Sequence, residues 1–305
     1  MRIVSLLPSA TEIVFALGLG DDLHGVTFEC DHPPEARSRT VVSTTALPGA
    51  RPSGEPLSAA DIDGLVSASI GAGEAIYRLD ASRIGAIDPD LILTQDLCQV
   101  CAVPTGAVED ALDVLGCSAR VVSLDPCSLD DVLASISLVG DATGTAARAR
   151  EVVEGLRRRL EAVAAAVASR PPVRVFALEW SDPPFSGGHW VPDMIAAAGG
   201  VPLLAPSGQP SRRLAWDDVA GAGADVVVFM PCGHTLAEAL AEGRRALVGH
   251  PALAAARQLW AADANACFSR PGPRLVDGVE ALAAVLHPGT GVAPRPDLLT
   301  QLSGP

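Results

Sequence analysis

The sequence contains no lysine; all 22 of its basic residues are arginine. That absence excludes lysine Schiff-base chemistry and a phosphate-loop lysine. Bases are also outnumbered: 36 Asp and Glu leave a formal net charge of −14 over 305 residues. A chain so acidic has little with which to neutralise phosphates, so no nucleic-acid partner is expected. Aromatic residues make up only 4%, with a single Tyr and four Trp, so each one calls for its own account. Long apolar runs are missing as well. Stretches such as Ala162–Ala168 fall far short of the roughly 20 residues a membrane-spanning helix needs. Neither a nucleophile-elbow motif nor a dinucleotide fingerprint is present; Gly71 and Gly73 stand outside the strand context such a fingerprint requires.

What is present points to a folded chain. Hydrophobic residues form 49% and charged residues 19%, a globular balance. The length suits two lobes. Met1 runs directly into the strand-like Ile3–Leu7, with no apolar leader, so a cytoplasmic location is expected. In a reducing compartment the seven cysteines are expected as thiols.

Strand and helix patterns alternate along the chain. Ile3–Leu7, Leu23–Val26, Val41–Ser43, Leu91–Thr94 and Arg120–Ser123 read as strands. Leu91–Thr94 is continuously apolar, as in a parallel strand covered on both faces. Ser9 or Thr11 is placed to cap a first helix, and helical spacing recurs over Ser58–Ser69, Ala107–Leu115 and Leu129–Gly140. A long helical stretch, Thr143–Ser169, ends at Pro171-Pro172. The rhythm then resumes, with strands at Val173–Leu178, Asp225–Met230 and Leu259–Ala262 and a last helix at Gly272–Leu286. The expected fold is α/β: two parallel-sheet lobes, residues 1–141 and 171–288, bridged by one long helix, 142–170. A Pro- and Gly-rich tail, 289–305, is expected to be mobile.

Four motifs occur in a characteristic order. Ser5-Leu6-Leu7-Pro8-Ser9-Ala10-Thr11-Glu12 opens the chain, and Asp88-Pro89-Asp90 introduces a strand. Trp190-Val191-Pro192-Asp193 precedes Ala198-Gly199-Gly200, and Ser269-Arg270-Pro271-Gly272-Pro273-Arg274 opens the last helix. Arranged around a long central helix, they resemble the substrate-binding proteins of ABC importers for cobalamin and iron complexes, most closely the cobalamin branch. The resemblance covers about residues 1–287. It implies a ligand cleft between the lobes, no catalysis, a metal chelate such as cobalamin as ligand, and an ABC importer as partner.

Ligand sites in open α/β sheets lie beyond the carboxyl ends of strands. That rule selects Pro8, Ser9, Thr11, Glu29, Gln95, Trp180 and Arg270, with Tyr77 and Trp190 as further flat faces for a macrocycle. A second pattern is sulfur. Cys98-Gln99-Val100-Cys101 follows a buried strand, and Cys30 and Cys232 follow two others. Thiolates so placed suit zinc or an iron–sulfur cluster. Two readings therefore stay open. One is a non-catalytic binder of a corrinoid or iron complex; the other is a thiolate-metal protein acting as redox enzyme or sensor.

Overall fold

A computed structural model describes residues 1–49, 57–72, 74–97, 103–115 and 118–302. The chain divides into two compact units, Met1–Asp125 with Leu133–Val152, and Pro126–Val132 with Val153–Pro305.

Unit 1 is built on a six-stranded sheet. Its strands are β1 (Ile3–Ser5), β2 (Leu23–Thr27), β3 (Thr40–Thr45), β4 (Tyr77–Leu79), β5 (Leu91–Thr94) and β6 (Arg120–Ser123), in the order β4-β3-β2-β1-β5-β6. All neighbours are parallel except β3 and β4. Helices α1 (Pro8–Ala16), α2 (Ala59–Ala72), α3 (Ala81–Ile87) and α4 (Thr105–Leu115) connect them. One core layer gathers Val4, Leu6, Val42, Ile84, Ile92 and Val108, all buried, and each such side chain contributes roughly 1.5–3 kcal/mol by leaving water. The first helix starts earlier than its polar residues suggest. Pro8 occupies its first turn and Leu7 is the N-cap, with no side-chain cap. Ser9 and Thr11 are thus helical and buried, because Pro fixes the helical φ from the outset.

The long helical stretch expected over Thr143–Ser169 is one helix, shorter at both ends. Helix α5 (Leu129–Thr143) ends where Gly144 adopts φ +74°, and α6 (Ala146–Val167) follows. Glycine takes that left-handed turn without the steric cost other residues bear. At 22 residues, α6 is about 33 Å long, and along it the chain makes its last passage from unit 1 to unit 2.

Unit 2 carries β7 (Val173–Ser181), β8 (Pro184–Ser186), α7 (Val191–Ala197), β9 (Gly200–Pro202), α8 (Trp216–Gly221), β10 (Val226–Phe229), α9 (Leu236–Gly249), β11 (Gln258–Ala262), α10 (Ala264–Cys267), α11 (Leu275–Leu286) and β12 (Leu299–Gln301). The sheet order is β12-β11-β10-β7-β8, and β9 also pairs with β7. Phe176, Leu178, Val227, Phe229 and Ala261 form its core with Leu302. The tail expected to be mobile is part of this sheet. Strand β12 pairs antiparallel with β11, and Leu298, Leu299 and Leu302 are buried. Burial of three leucines outweighs the Pro- and Gly-rich composition of the segment. Arg159 of α6 ties α11 down, bonding Asp277 at 2.5 Å and Glu280 at 2.6 and 2.8 Å.

Candidate functional site

In each sheet the strand order reverses at one place, and the loops leaving that switch point form the natural ligand edge. In unit 1 it lies between β1 and β5. The turn after β1 is stitched by a buried chain of polar groups. Ser5 Oγ donates to Leu7 O at 2.9 Å, Thr11 Oγ1 donates to Ser5 Oγ at 2.9 Å, and Thr11 Oγ1 meets Cys30 Sγ at 3.1 Å. Cys30 is buried, so its thiol fastens the loop after β2 to α1. After β5, Gln95 is buried and its amide donates to Leu124 O at 3.0 Å, bridging the ends of β5 and β6. Asp125 Oδ1 accepts from Asp96 N at 2.6 Å and Leu97 N at 2.8 Å.

The outward-facing groups of this edge lie beside that frame. Phe28 is exposed, and its ring centroid stands 6.5 Å from that of half-buried Tyr77. The Tyr77 hydroxyl donates to Glu29 Oε2 at 3.4 Å. Two aromatic faces with a carboxylate at their rim suit a flat ligand bearing polar substituents. Phe28 was outside the residues selected from sequence; its place directly after β2 was the available signal.

In unit 2 the switch point lies between β7 and β10. Trp180, near the end of β7, is half-buried and meets the His234 ring edge-on at 5.8 Å. Exposed Cys232 donates its backbone N–H to Glu179 O at 3.3 Å. Next to them runs a two-armed ribbon. Ser186 N bonds Arg212 O at 3.1 Å, His189 N bonds Gln209 O at 2.6 Å, and Gly208 N bonds His189 O at 3.0 Å. The half-buried Glu179 carboxylate grips both arms, accepting from Ser211 Oγ at 2.6 Å and Gly188 N at 3.2 Å. Burial pushes this carboxyl above its usual range, against the pull of those two donors. His189 sits at φ +51° with Nε2 buried and without a partner among the described residues, and burial lowers its pKa.

The remaining selected residues fall as follows. Pro8 and Arg270 are half-buried. Trp190, read from sequence as a flat ligand wall, is 7% exposed and its indole N–H donates to Phe268 O at 2.7 Å; its position is that of a packed side chain with its polar atom satisfied. Cys98 and Cys101 lie outside the described residues. Among the described residues, no group of three or more His, Cys, Asp or Glu is arranged to hold a metal ion. Cys30 belongs to unit 1 and Cys232 to unit 2, and nothing in the described residues supports a zinc or iron–sulfur site. No described helix is long and apolar enough to cross a membrane.

A model of the family described as "Periplasmic binding protein" matches residues 3–258. The chain belongs to that family. A periplasmic binding protein is a solute-binding, non-catalytic component of transport, and this chain is not an enzyme. The resemblance to importer substrate-binding proteins read from its motifs is borne out. Among its relatives is the vitamin B12-binding protein of Vibrio cholerae serotype O1, 25% identical over 291 residues, covering 93% of this chain and 88% of the relative. Solved structures share the fold. A periplasmic heme-binding protein from Pseudomonas aeruginosa matches with TM-score 0.70 and 23% identity, over 99% of this chain and 98% of that one. The periplasmic vitamin B12-binding protein of Vibrio cholerae matches with TM-score 0.65 and 24% identity, over 93% and 96%.

Proposed function

We propose that this periplasmic binding protein captures a metal-bearing macrocycle, with a cobalamin-type corrinoid favoured over a heme or other iron complex, and passes it unchanged to an ABC importer. The observation that carries this reading is the end-to-end similarity to a vitamin B12-binding protein, over 93% of this chain. The switch-point loops support it. Phe28 and Tyr77 in unit 1, and Trp180 with His234 in unit 2, supply aromatic surface in a chain that has little of it. Glu29 and Glu179 supply polar contacts, with Pro8, Ser9, Gln95 and Arg270 as neighbouring loop residues. Thr11 contributes through its bond to Ser5, which shapes the loop after β1.

Native mass spectrometry of freshly isolated protein tests the proposal. A retained corrinoid or iron chelate is the expected result. Protein that emerges with a different class of solute, such as a sugar or a peptide, overturns it.

A further inference from the structure

The chelate-binding reading leaves open what distinguishes one macrocycle from another, and Glu179 bears on that question. It is the first residue of β7 beyond the segment paired in parallel with β10, which runs from Val175 to Leu178. It therefore stands at the switch point of the unit 2 sheet, beside Trp180. Both of its hydrogen bonds, from Ser211 Oγ and Gly188 N, end on Oε2. The other oxygen, Oε1, has no partner among the described residues. The buried side-chain atoms that lack a partner there are Arg39 Nε, Thr105 Oγ1 and His189 Nε2. Oε1 is not one of them, so on this half-buried side chain it is not sealed in the core.

No ion pair balances this carboxylate among the described residues. The arginines next to Ser211 are engaged elsewhere: Arg212 Nε donates to Leu204 O at 3.3 Å, and Arg213 lies over the Phe185 ring at 5.5 Å. Oε2 accepts from a backbone N–H, which can only donate, so any proton on this carboxyl sits on Oε1, and Oε1 is an acceptor in the ionised form. A fixed, uncompensated acceptor at a ligand edge favours solutes that bring N–H or O–H groups and opposes solutes that bring negative charge. Corrinoids and porphyrins differ in this respect. Cobalamin carries neutral carboxamides around its rim, whereas heme carries propionate carboxylates.

We propose that Glu179 Oε1 is a specificity-determining acceptor, taking an amide N–H from the rim of a corrinoid and repelling the carboxylates of a heme. This rests on the reading that the chain binds such a chelate.

The test uses the full chain at several pH values from about 6 to 9, with the ratio read at the highest, because burial raises the pKa of this carboxyl and only its ionised form repels carboxylates. Cyanocobalamin and hemin are titrated separately into wild type, Glu179→Gln and Ser211→Ala. The quantity read is the ratio of the two affinities. In Glu179→Gln that ratio is expected to move toward hemin by roughly tenfold, as a charged acceptor becomes a neutral one. Ser211→Ala removes a bond to Oε2 and leaves Oε1 in place, so its ratio is expected to match wild type. An unchanged ratio in Glu179→Gln overturns the proposal. An equal shift in Ser211→Ala also overturns it, because the carboxylate would then act only as a clamp on the ribbon. Wild type that binds neither compound removes the underlying reading and this proposal with it. If Glu179→Gln does not fold, Glu179→Asp reports the same ratio. That variant is expected to move it in the same direction by a smaller factor, and no movement overturns the proposal.

Discussion

Gly188 passes so close to Ser211 that a Cβ on it would lie 2.2 Å from the Ser211 nitrogen. The missing side chain is what lets the two arms of the unit 2 ribbon meet beneath one carboxylate oxygen of Glu179. The obstructing atoms are all backbone, so no rotamer change relieves the clash. Gly188→Ala is expected to cost about 3 kcal/mol of stability, read as a lowered denaturant midpoint. Gly155, inside α6, has only the Arg158 guanidinium within van der Waals range, at 3.8 Å. Gly155→Ala is expected to raise the midpoint, by about 0.5–1 kcal/mol. Equal effects of the two substitutions would contradict the ribbon geometry.

Glu179→Gln is expected to be more stable than wild type at neutral pH. Burial raises the folded-state pKa of this carboxyl. A raised carboxyl carries a penalty only when ionised, so the cost is absent below the unfolded pKa and complete above the folded one. The difference in midpoint between variant and wild type should therefore be near zero at about pH 4 and widen as pH rises. A difference that is constant or shrinks toward neutral pH contradicts the burial of the charge.

Thiol reactivity should follow exposure. Cys232 is exposed, whereas Cys30 and Cys267 are buried, and burial pushes the Cys267 thiol well up. Brief alkylation of the native chain at neutral pH, followed by peptide mass mapping, is expected to label Cys232. Cys30 and Cys267 should be labelled only after unfolding. Label on Cys267 in the native chain would contradict its placement against Asp263 O, to which its thiol donates at 3.4 Å.

Much of the fold was legible because the central strands are continuous apolar runs. Leu91–Thr94 and Arg120–Ser123 were read at their observed boundaries. Strands β4, β8, β9 and β12, three residues each, are too short for a period to register and lack the apolar run Ile3–Leu7 that marks β1. Helix α8 has only six residues and escaped for the same reason. The break before the long helix was expected between Gly140 and Thr143 and falls at Gly144, because the Ala- and Arg-rich sequence after it favours helix and leaves the exact boundary unmarked. Its turn is visible only in the backbone angle.

The site was legible in outline. Strand ends locate its loops, and two residues that rule selects, Trp180 and Glu29, lie at or just past the ends of β7 and β2. It could not separate residues facing outward from those that hold the frame. Thr11, Cys30 and Gln95 follow or abut strand ends, yet their polar atoms are spent on Ser5, Thr11 and Leu124. Glu179 stands at a strand end that the same rule marks, but its grip on the ribbon depends on Ser211, 32 residues away in sequence. No local pattern carries a contact of that kind.

Titration of the ligand-stripped chain, followed by tryptophan fluorescence, tests the central claim most directly. Cyanocobalamin, hemin and a ferric siderophore are the compounds to add. Saturable quenching at micromolar or lower concentration by at least one of them is expected. Trp180→Ala should weaken that binding by about tenfold without lowering thermal stability to a similar degree. Absence of saturable binding to all three would contradict the account.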